Sequence, residues 1–268
     1  MGLKHKTILV IGGLGFIGST LSKLLISKGY DIDIYDINEP TGNPHHIIKT
    51  KRLAYNNTIL HSCTLDDIYK HEYDYVIHLG SFVEVGDNTE DYFKNNNGEL
   101  QKYIDNILYK KFIYISSSSI LEDVISPYSI SIKIAEAQIR NYCPADYLII
   151  RHCTVYGENG IPDKLITKLL NQEIVNINGD PKLISRYFIY VGDLVKLIMN
   201  NLDRTGIINV KSHKQYTLDE ILSIFGYIEG KDYFIEESDN RTFKKYLTKD
   251  GIDVIMTTSI EKYIRSLK

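Results

Sequence analysis

Residues 7–38 read TILVIGGLGFIGSTLSKLLISKGYDIDIYDIN. A β-branched apolar run passes into glycines at positions 12, 15 and 18, an amphipathic segment follows, and a second run ends at Asp36. Few folds accommodate that succession. The first run is too apolar to be buried on one side only, so it predicts a strand covered on both faces, within a parallel sheet flanked by helices. Gly12, Gly15 and Gly18, spaced GxxGxxG, permit a tight strand-to-helix turn. They also let the backbone approach a pyrophosphate, which then rests on the positive end of the helix. Asp36 follows Gly12 by 24 residues, where a carboxylate accepts hydrogen bonds from both ribose hydroxyls and repels a 2′-phosphate. The stretch predicts a dinucleotide site, with NAD favoured over NADP.

The alternation continues. Short β-branched or aromatic runs at 7–11, 31–35, 58–61, 75–79, 111–116 and 147–151 predict strands, and helical patterns lie at 16–28, 65–71, 90–109 and 128–142. Beyond Arg151 the pieces shorten, with helical patterns at 162–171, 193–202, 217–225 and 259–266. The expected fold class is α/β, a doubly wound parallel sheet with a small C-terminal substrate-binding lobe. Residues 1–155 are expected to form the dinucleotide-binding domain, to which some later segments return, and 156–268 mainly the lobe. The ligand cleft would lie between them.

Charge and cysteine usage narrow the function. A net charge of −3 and a pI near 6.2 give no support for a nucleic-acid surface. Cys63, Cys143 and Cys153 lack metal-ligand spacing, so no metal is expected, and their odd count suggests a reducing compartment. No apolar run approaches the roughly 20 residues that cross a bilayer. The apolar start runs straight into glycines, as a strand does and a signal peptide does not. A cytoplasmic protein is expected.

Further motifs follow in order: YDYVIHLGS at 73–81, DYFKNNNGEL at 91–100, KKFIYISSSSI at 110–120, SPYSIS at 126–131, RHCTVYG at 151–157 and SRYFIYVGDL at 185–194. Together with IGGLGFIGS, they resemble the extended short-chain dehydrogenases of the NAD-dependent nucleotide-sugar epimerase and dehydratase type. The resemblance covers nearly the whole chain. It implies a Rossmann-type fold, NAD, a nucleotide-diphosphate sugar substrate and a homodimer formed through the helices at 90–109 and 128–142. In its terms Gly12, Gly15, Phe16, Ile17 and Gly18 hold the cofactor, with Asp36, Ser62, Cys63, Leu79, Gly80, Ser81, Asn95, Tyr128 and Lys133. Glu84, Ser118, Thr154 and Arg186 fall to the substrate. Tyr128 becomes the acid or base on a sugar hydroxyl, and a nearby lysine favours its phenolate form. Ser117 hydrogen-bonds the reacting oxygen, with Ser118 its neighbouring competitor for that role.

The sequence also departs from the family pattern. The family places its lysine four residues after the tyrosine, but here Ile132 stands there and Lys133 comes next. Five residues on is a rotation of about 140° rather than about 40°. A one-residue π-bulge could bring Lys133 back; the charge could come from elsewhere; or hydride chemistry could be lost, leaving an NAD and nucleotide-sugar binding protein. Ser62-Cys63 replaces an acidic residue near the adenine, Thr154 an asparagine, and Gly80-Ser81 two alanines. The 4,6-dehydratases follow their catalytic threonine with Asp-Glu, where this chain has Ser118 and Ser119, so the sequence disfavours dehydration against epimerisation or oxidation-reduction. His78 is expected as a packed strand residue and Asp193 as a helix cap.

Overall fold

In β1 (Thr7–Ile11) every residue after the first is buried, as expected of a strand sandwiched on both faces. The computed structural model describes residues 6–36, 65–81, 89–122, 125–143, 146–162, 164–236 and 250–267. The strand expected at 58–61 lies outside them. After β1 come α1 (Phe16–Ser27), β2 (Asp31–Tyr35), α2 (Leu65–Ile68), β3 (Glu72–His78), α3 (Thr89–Phe93), a π-helical turn (Lys94–Glu99) and α4 (Leu100–Asn106). Then follow β4 (Leu108–Ser117), α5 (Pro127–Tyr142), β5 (Tyr147–His152) and β6 (Thr154–Tyr156). The remainder is α6 (Leu165–Leu170), β7 (Val175–Asn178), β8 (Ser185–Tyr190), α7 (Val191–Asn200), β9 (Gly206–Ser212), β10 (Gln215–Thr217), α8 (Leu218–Phe225), β11 (Tyr233–Glu236), β12 (Ile252–Met256) and α9 (Ile260–Ser266).

Seven of these strands form one parallel sheet in the order β12-β9-β5-β4-β3-β1-β2. The chain leaves β1 for β2 on one side and returns to β3 on the other. That reversal opens a crevice at the carboxyl ends of β1 and β3, where α/β sheets take their ligands. One face of the sheet packs on α1 and α7 through Leu21, Leu25, Leu194 and Ile198. The other packs on α4 and α5 through Leu100, Tyr103, Ala135 and Ile139. The smaller sheets, β10-β8-β6 and β11-β7, share a third core with α6, α8 and α9. β9 and β12, both beyond residue 200, belong to the main sheet.

The single helix expected at 90–109 is broken. Asn95, Asn96, Asn97 and Gly98 are poor helix formers, and they occupy the π-helical turn. The wider turn aims two amides at α5. Asn96 Nδ2 donates to Ser131 Oγ at 3.0 Å, and Asn97 Nδ2 to the Ser131 carbonyl at 2.8 Å. Near the start of β4, Lys111 is buried and reaches Asp146 at 2.9 Å, which satisfies a charge that a buried strand position could not otherwise hold. Among the described residues, no helix is long and apolar enough to cross a membrane.

Candidate active site

The glycine turn is built by backbone contacts. Gly12 takes φ +77°, its N–H donates to the Tyr35 carbonyl at 2.7 Å, and its own carbonyl accepts from Gly15 N at 3.1 Å. A Cβ on Gly12 would lie 2.7 Å from Gly80 N, and one on Gly18 only 2.2 Å from the Gly12 carbonyl oxygen. Both positions exclude any side chain. Gly15 caps α1 without a side-chain hydrogen bond, so the amides of Phe16 and Ile17 open the helix at its positive end. Asp36 Oδ2 accepts from Leu14 N at 3.1 Å, which ties the end of β2 to the turn. Leu79 N donates to the Ile11 carbonyl at 2.8 Å, holding the Leu79-Gly80-Ser81 loop against it.

The second half of the cleft lies where β4 ends and α5 begins. Ser126 and Ser129 close a capping box around Pro127, which fixes the first turn of α5 and places Tyr128 within it. Its ring meets that of Tyr92, with centroids 5.9 Å apart. Burial pushes the Tyr128 phenol above its ordinary range, the Ser117 hydroxyl opposes that shift, and Tyr92 and Glu122 add to it. Among the described residues, no cation stands among the groups acting on it. Ser117 Oγ accepts from Ser119 N at 3.1 Å at the head of a short 3₁₀ turn, Ser118–Leu121.

α5 is one regular helix from Pro127 to Tyr142, and Ile130 N donates to the Ser126 carbonyl at 2.9 Å. The bulge that would return Lys133 to the site is not formed there; the π-turn belongs to the neighbouring helix. Ile132 is 1% exposed and faces inward, while Lys133 is exposed. The structure therefore brings Tyr128 and Ser117 together and leaves Lys133 apart from them.

A group that the sequence reading passed over holds this register. Glu136, eight residues after Tyr128 and buried, accepts from Arg151 Nε at 2.8 Å and Arg151 Nη2 at 2.7 Å. Ser116 Oγ donates to it at 2.6 Å and Arg140 at 3.1 Å. Asp250 completes the cluster, 2.6 Å from Arg151 and 2.9 Å from Arg140. α5 mixes polar and apolar residues, with Ser129 and Ser131 also on its inward face, so no local signal marked Glu136 as buried.

Among the other candidates, Ser118 is buried and Thr154 exposed. Arg186 donates to the Ser185 carbonyl at 2.8 Å and pairs with no carboxylate among the described residues. Asn95 donates to the Asp91 carbonyl at 2.8 Å. Ser62, Cys63 and Glu84 lie outside the described residues. Asp193 sits in the first turn of α7 beside the Tyr190 cap, where its charge complements the helix dipole without itself capping. His78 packs among Tyr103, Phe112 and Tyr114, and burial lowers its pKa to about 4. It is neutral at pH 7. Burial pushes the Cys153 thiol up to about 12, which leaves it no nucleophile.

Residues 8–210 match the NAD dependent epimerase/dehydratase family. The chain belongs to that family. It is 27% identical to a putative UDP-glucose 4-epimerase of Methanocaldococcus jannaschii, over 90% of this chain and 89% of that one. A UDP-glucuronic acid 4-epimerase from Bacillus cereus, solved in complex with NAD, superposes with a TM-score of 0.71 at 26% identity, covering 88% of this chain and 90% of that one. A dTDP-D-glucose 4,6-dehydratase of Dictyostelium discoideum is 30% identical over 71% of this chain and 54% of its own. That relative corrects the expectation from Ser118 and Ser119: the likeness does not separate this chain from dehydratases. The family is NAD-dependent, and the cradle fits the cofactor, because the two positions a Cβ would fill are glycine and α1 begins with uncapped amides.

Proposed function

We propose that this family member carries out epimerisation or oxidation-reduction of a nucleotide-diphosphate sugar, with Tyr128 moving the proton, and that its phenol limits the rate. One observation carries the reading: Tyr128 stands at the head of α5 beside Ser117, across the sheet from the glycine turn. When bound, NAD supplies a hydride acceptor. Tyr128 Oη then takes the proton of the sugar hydroxyl being oxidised, and returns it when the sugar is reduced. The Ser117 hydroxyl donates to the reacting oxygen. Only the phenolate serves as base, and burial disfavours it here, so turnover is expected to rise with pH through and beyond neutrality. Arg186 is the proposed diphosphate contact, since a guanidinium grips phosphate oxygens with two donors. Thr154, Ser118 and Glu84 would line the sugar site. UDP-sugars are the proposed substrate class, after the names of the relatives above.

Ile132 inside and Lys133 outside favour a second reading, in which the protein binds NAD and a nucleotide sugar without turnover. Exposed Ile130 and Ile134 on α5 support pairing of two copies, and the free thiols Cys143 and Cys153 support the cytoplasm. The test is to mix the protein with NAD and a panel of nucleotide sugars, following NADH absorbance and separating products by chromatography, for wild type and Tyr128→Phe. Product that Tyr128→Phe abolishes supports the enzyme. Binding of both ligands with no product at any pH up to 10 sinks it in favour of the binding protein.

A further inference from the structure

α9 buries Ile260, Tyr263 and Ile264 in the third core and leaves Lys262 and Arg265 exposed. Glu261 precedes Arg265 by four residues, the spacing at which a helix ordinarily pairs an acid with a base. That pair is not made. The buried Tyr216 of β10 donates its hydroxyl to Glu261 Oε2 at 2.8 Å, which draws the carboxylate towards the sheet. Among the described residues neither Arg265 nor Lys262 forms an ion pair. Like charges three residues apart on a helix repel, and no carboxylate of the described chain offsets these two.

Both cations line a surface cleft of about 430 Å³, whose other side is the turn from β9 into β10, with His213 and Lys214. Ser212 Oγ donates to the Lys214 carbonyl at 2.7 Å, which fixes that turn. Lys214 is itself held, 2.9 Å from Glu220 and 4.7 Å over the Tyr216 ring. The chain as a whole carries a net charge of −3. Three cations and a histidine around one space, against the single carboxylate of Glu261, therefore reverse the sign locally, and such a reversal draws anions. Tyr128, Ser117, Thr154 and Arg186 take no part in lining it.

We infer that the cleft between α9 and the β9–β10 turn is a second ligand site, which binds the phosphate group of a small phosphate ester. The Arg265 guanidinium takes two phosphate oxygens with its fork of donors, and the Lys262 ammonium meets a third. A carboxylate offers only two oxygens and one charge, so it satisfies the set less well. The space lies within the range of small-molecule sites and exceeds what a phosphate alone fills, which leaves room for the rest of an ester. Glu261 limits the affinity, because its charge stays in the cleft while Tyr216 holds it.

Calorimetric titration of the purified full chain with inorganic phosphate, glucose 1-phosphate, acetate and UDP tests this at low salt, and needs no turnover. Glucose 1-phosphate is expected to bind more tightly than inorganic phosphate, and acetate least. Arg265→Ala and Lys262→Ala should each weaken both phosphates by about tenfold, the worth of a charge-assisted hydrogen bond, at an unchanged melting temperature. Glu261→Gln keeps an acceptor for Tyr216 and removes the repelling charge, so it should tighten them by roughly threefold. UDP carries the phosphates of the proposed substrate, and its affinity should not change in Arg265→Ala. Wild-type protein that binds neither phosphate overturns the inference, as does undiminished binding in both alanine variants or acetate bound as tightly as phosphate. A glucose 1-phosphate affinity no higher than that of phosphate overturns the assignment to an ester. An equal loss of UDP in Arg265→Ala would make this space part of the substrate site and overturn a second one.

Discussion

At the glycine-turn end of the cleft the requirements fall on the backbone, whereas at the Tyr128 end they fall on particular side chains. Gly12 and Gly18 are demanded by contacts of 2.7 and 2.2 Å that any Cβ would make, and β1, β2 and the Leu79–Ser81 loop hydrogen-bond around them. At the other end α5 keeps its place, tied by Glu136 to β4 and β5 and by Ser131 to the π-turn. Within that intact frame one inward position holds Ile132. A backbone cradle tolerates almost no substitution, whereas a positioned side chain can be exchanged while the helix that carried it stays put. Cofactor binding and proton transfer can therefore diverge independently on one fold.

The first way to break this comparison is to attack what holds α5. Glu136→Ala leaves Arg151 buried without its bidentate partner, which costs on the order of 3–5 kcal/mol and is read by urea unfolding. Glu136→Gln keeps a hydrogen-bond acceptor for Ser116 and is expected to lose less. If Glu136→Ala unfolds at the wild-type midpoint, the helix register is held by something else, and the local account of Ile132 fails with it.

Acid probes the packing between the two ends. His78 has a pKa of about 4 in the folded chain because burial disfavours its charged form, against roughly 6.5 when unfolded. The unfolded chain therefore binds the extra proton first. The stability present above about pH 6.5 is lost as pH falls towards 4, by on the order of 3 kcal/mol. His78→Phe should flatten that slope in melting temperatures measured between pH 7 and 4. An unchanged slope would place the acid sensitivity elsewhere.

Gly18→Ala tests the backbone end directly. Its methyl would collide with the Gly12 carbonyl, so the turn must open, and NAD affinity is expected to fall on the order of a hundredfold. Calorimetry on folded variant protein checks it. Near-normal affinity would show that the cradle yields more than its contacts suggest.

The two ends also differed in how far the sequence disclosed them. Strand, glycines, helix and Asp36 lie within one continuous stretch, so residue spacing alone conveyed the turn and the boundaries of β1 and β2. That the main sheet is parallel and covered on both faces followed from alternation, but its strand order and the return of β12 to its far edge depend on long-range pairing that no local pattern carries. The break at Lys94–Glu99 was hidden because helical periodicity continues across it; only the run of asparagines hinted at it. Glu136 was missed for a related reason. Its partners Arg151 and Asp250 are distant along the chain, and a carboxylate on an amphipathic helix reads as solvent-facing until the fold buries it. Where Lys133 would point could not be decided from spacing, since a single π-bulge would have reversed the answer.

The smallest expected effect is the sharpest, because it isolates one side chain in an intact frame. Ile132→Lys would place an ammonium on the inward face of α5, one turn beyond Tyr128, where it favours the phenolate. If burial alone limits Tyr128 as base, the variant is expected to raise kcat about tenfold at pH 7 and to move the alkaline limb of the pH profile towards neutrality. Lys133→Ala should change neither, since Lys133 is exposed and lies about 140° around the regular helix from Tyr128. Two results would undo the contrast between the ends. A loss of activity in Lys133→Ala would mean that the exposed lysine reaches the site during turnover. A folded, NAD-binding Ile132→Lys protein with an unshifted pH profile would mean that Tyr128 is not the group whose ionisation limits the reaction.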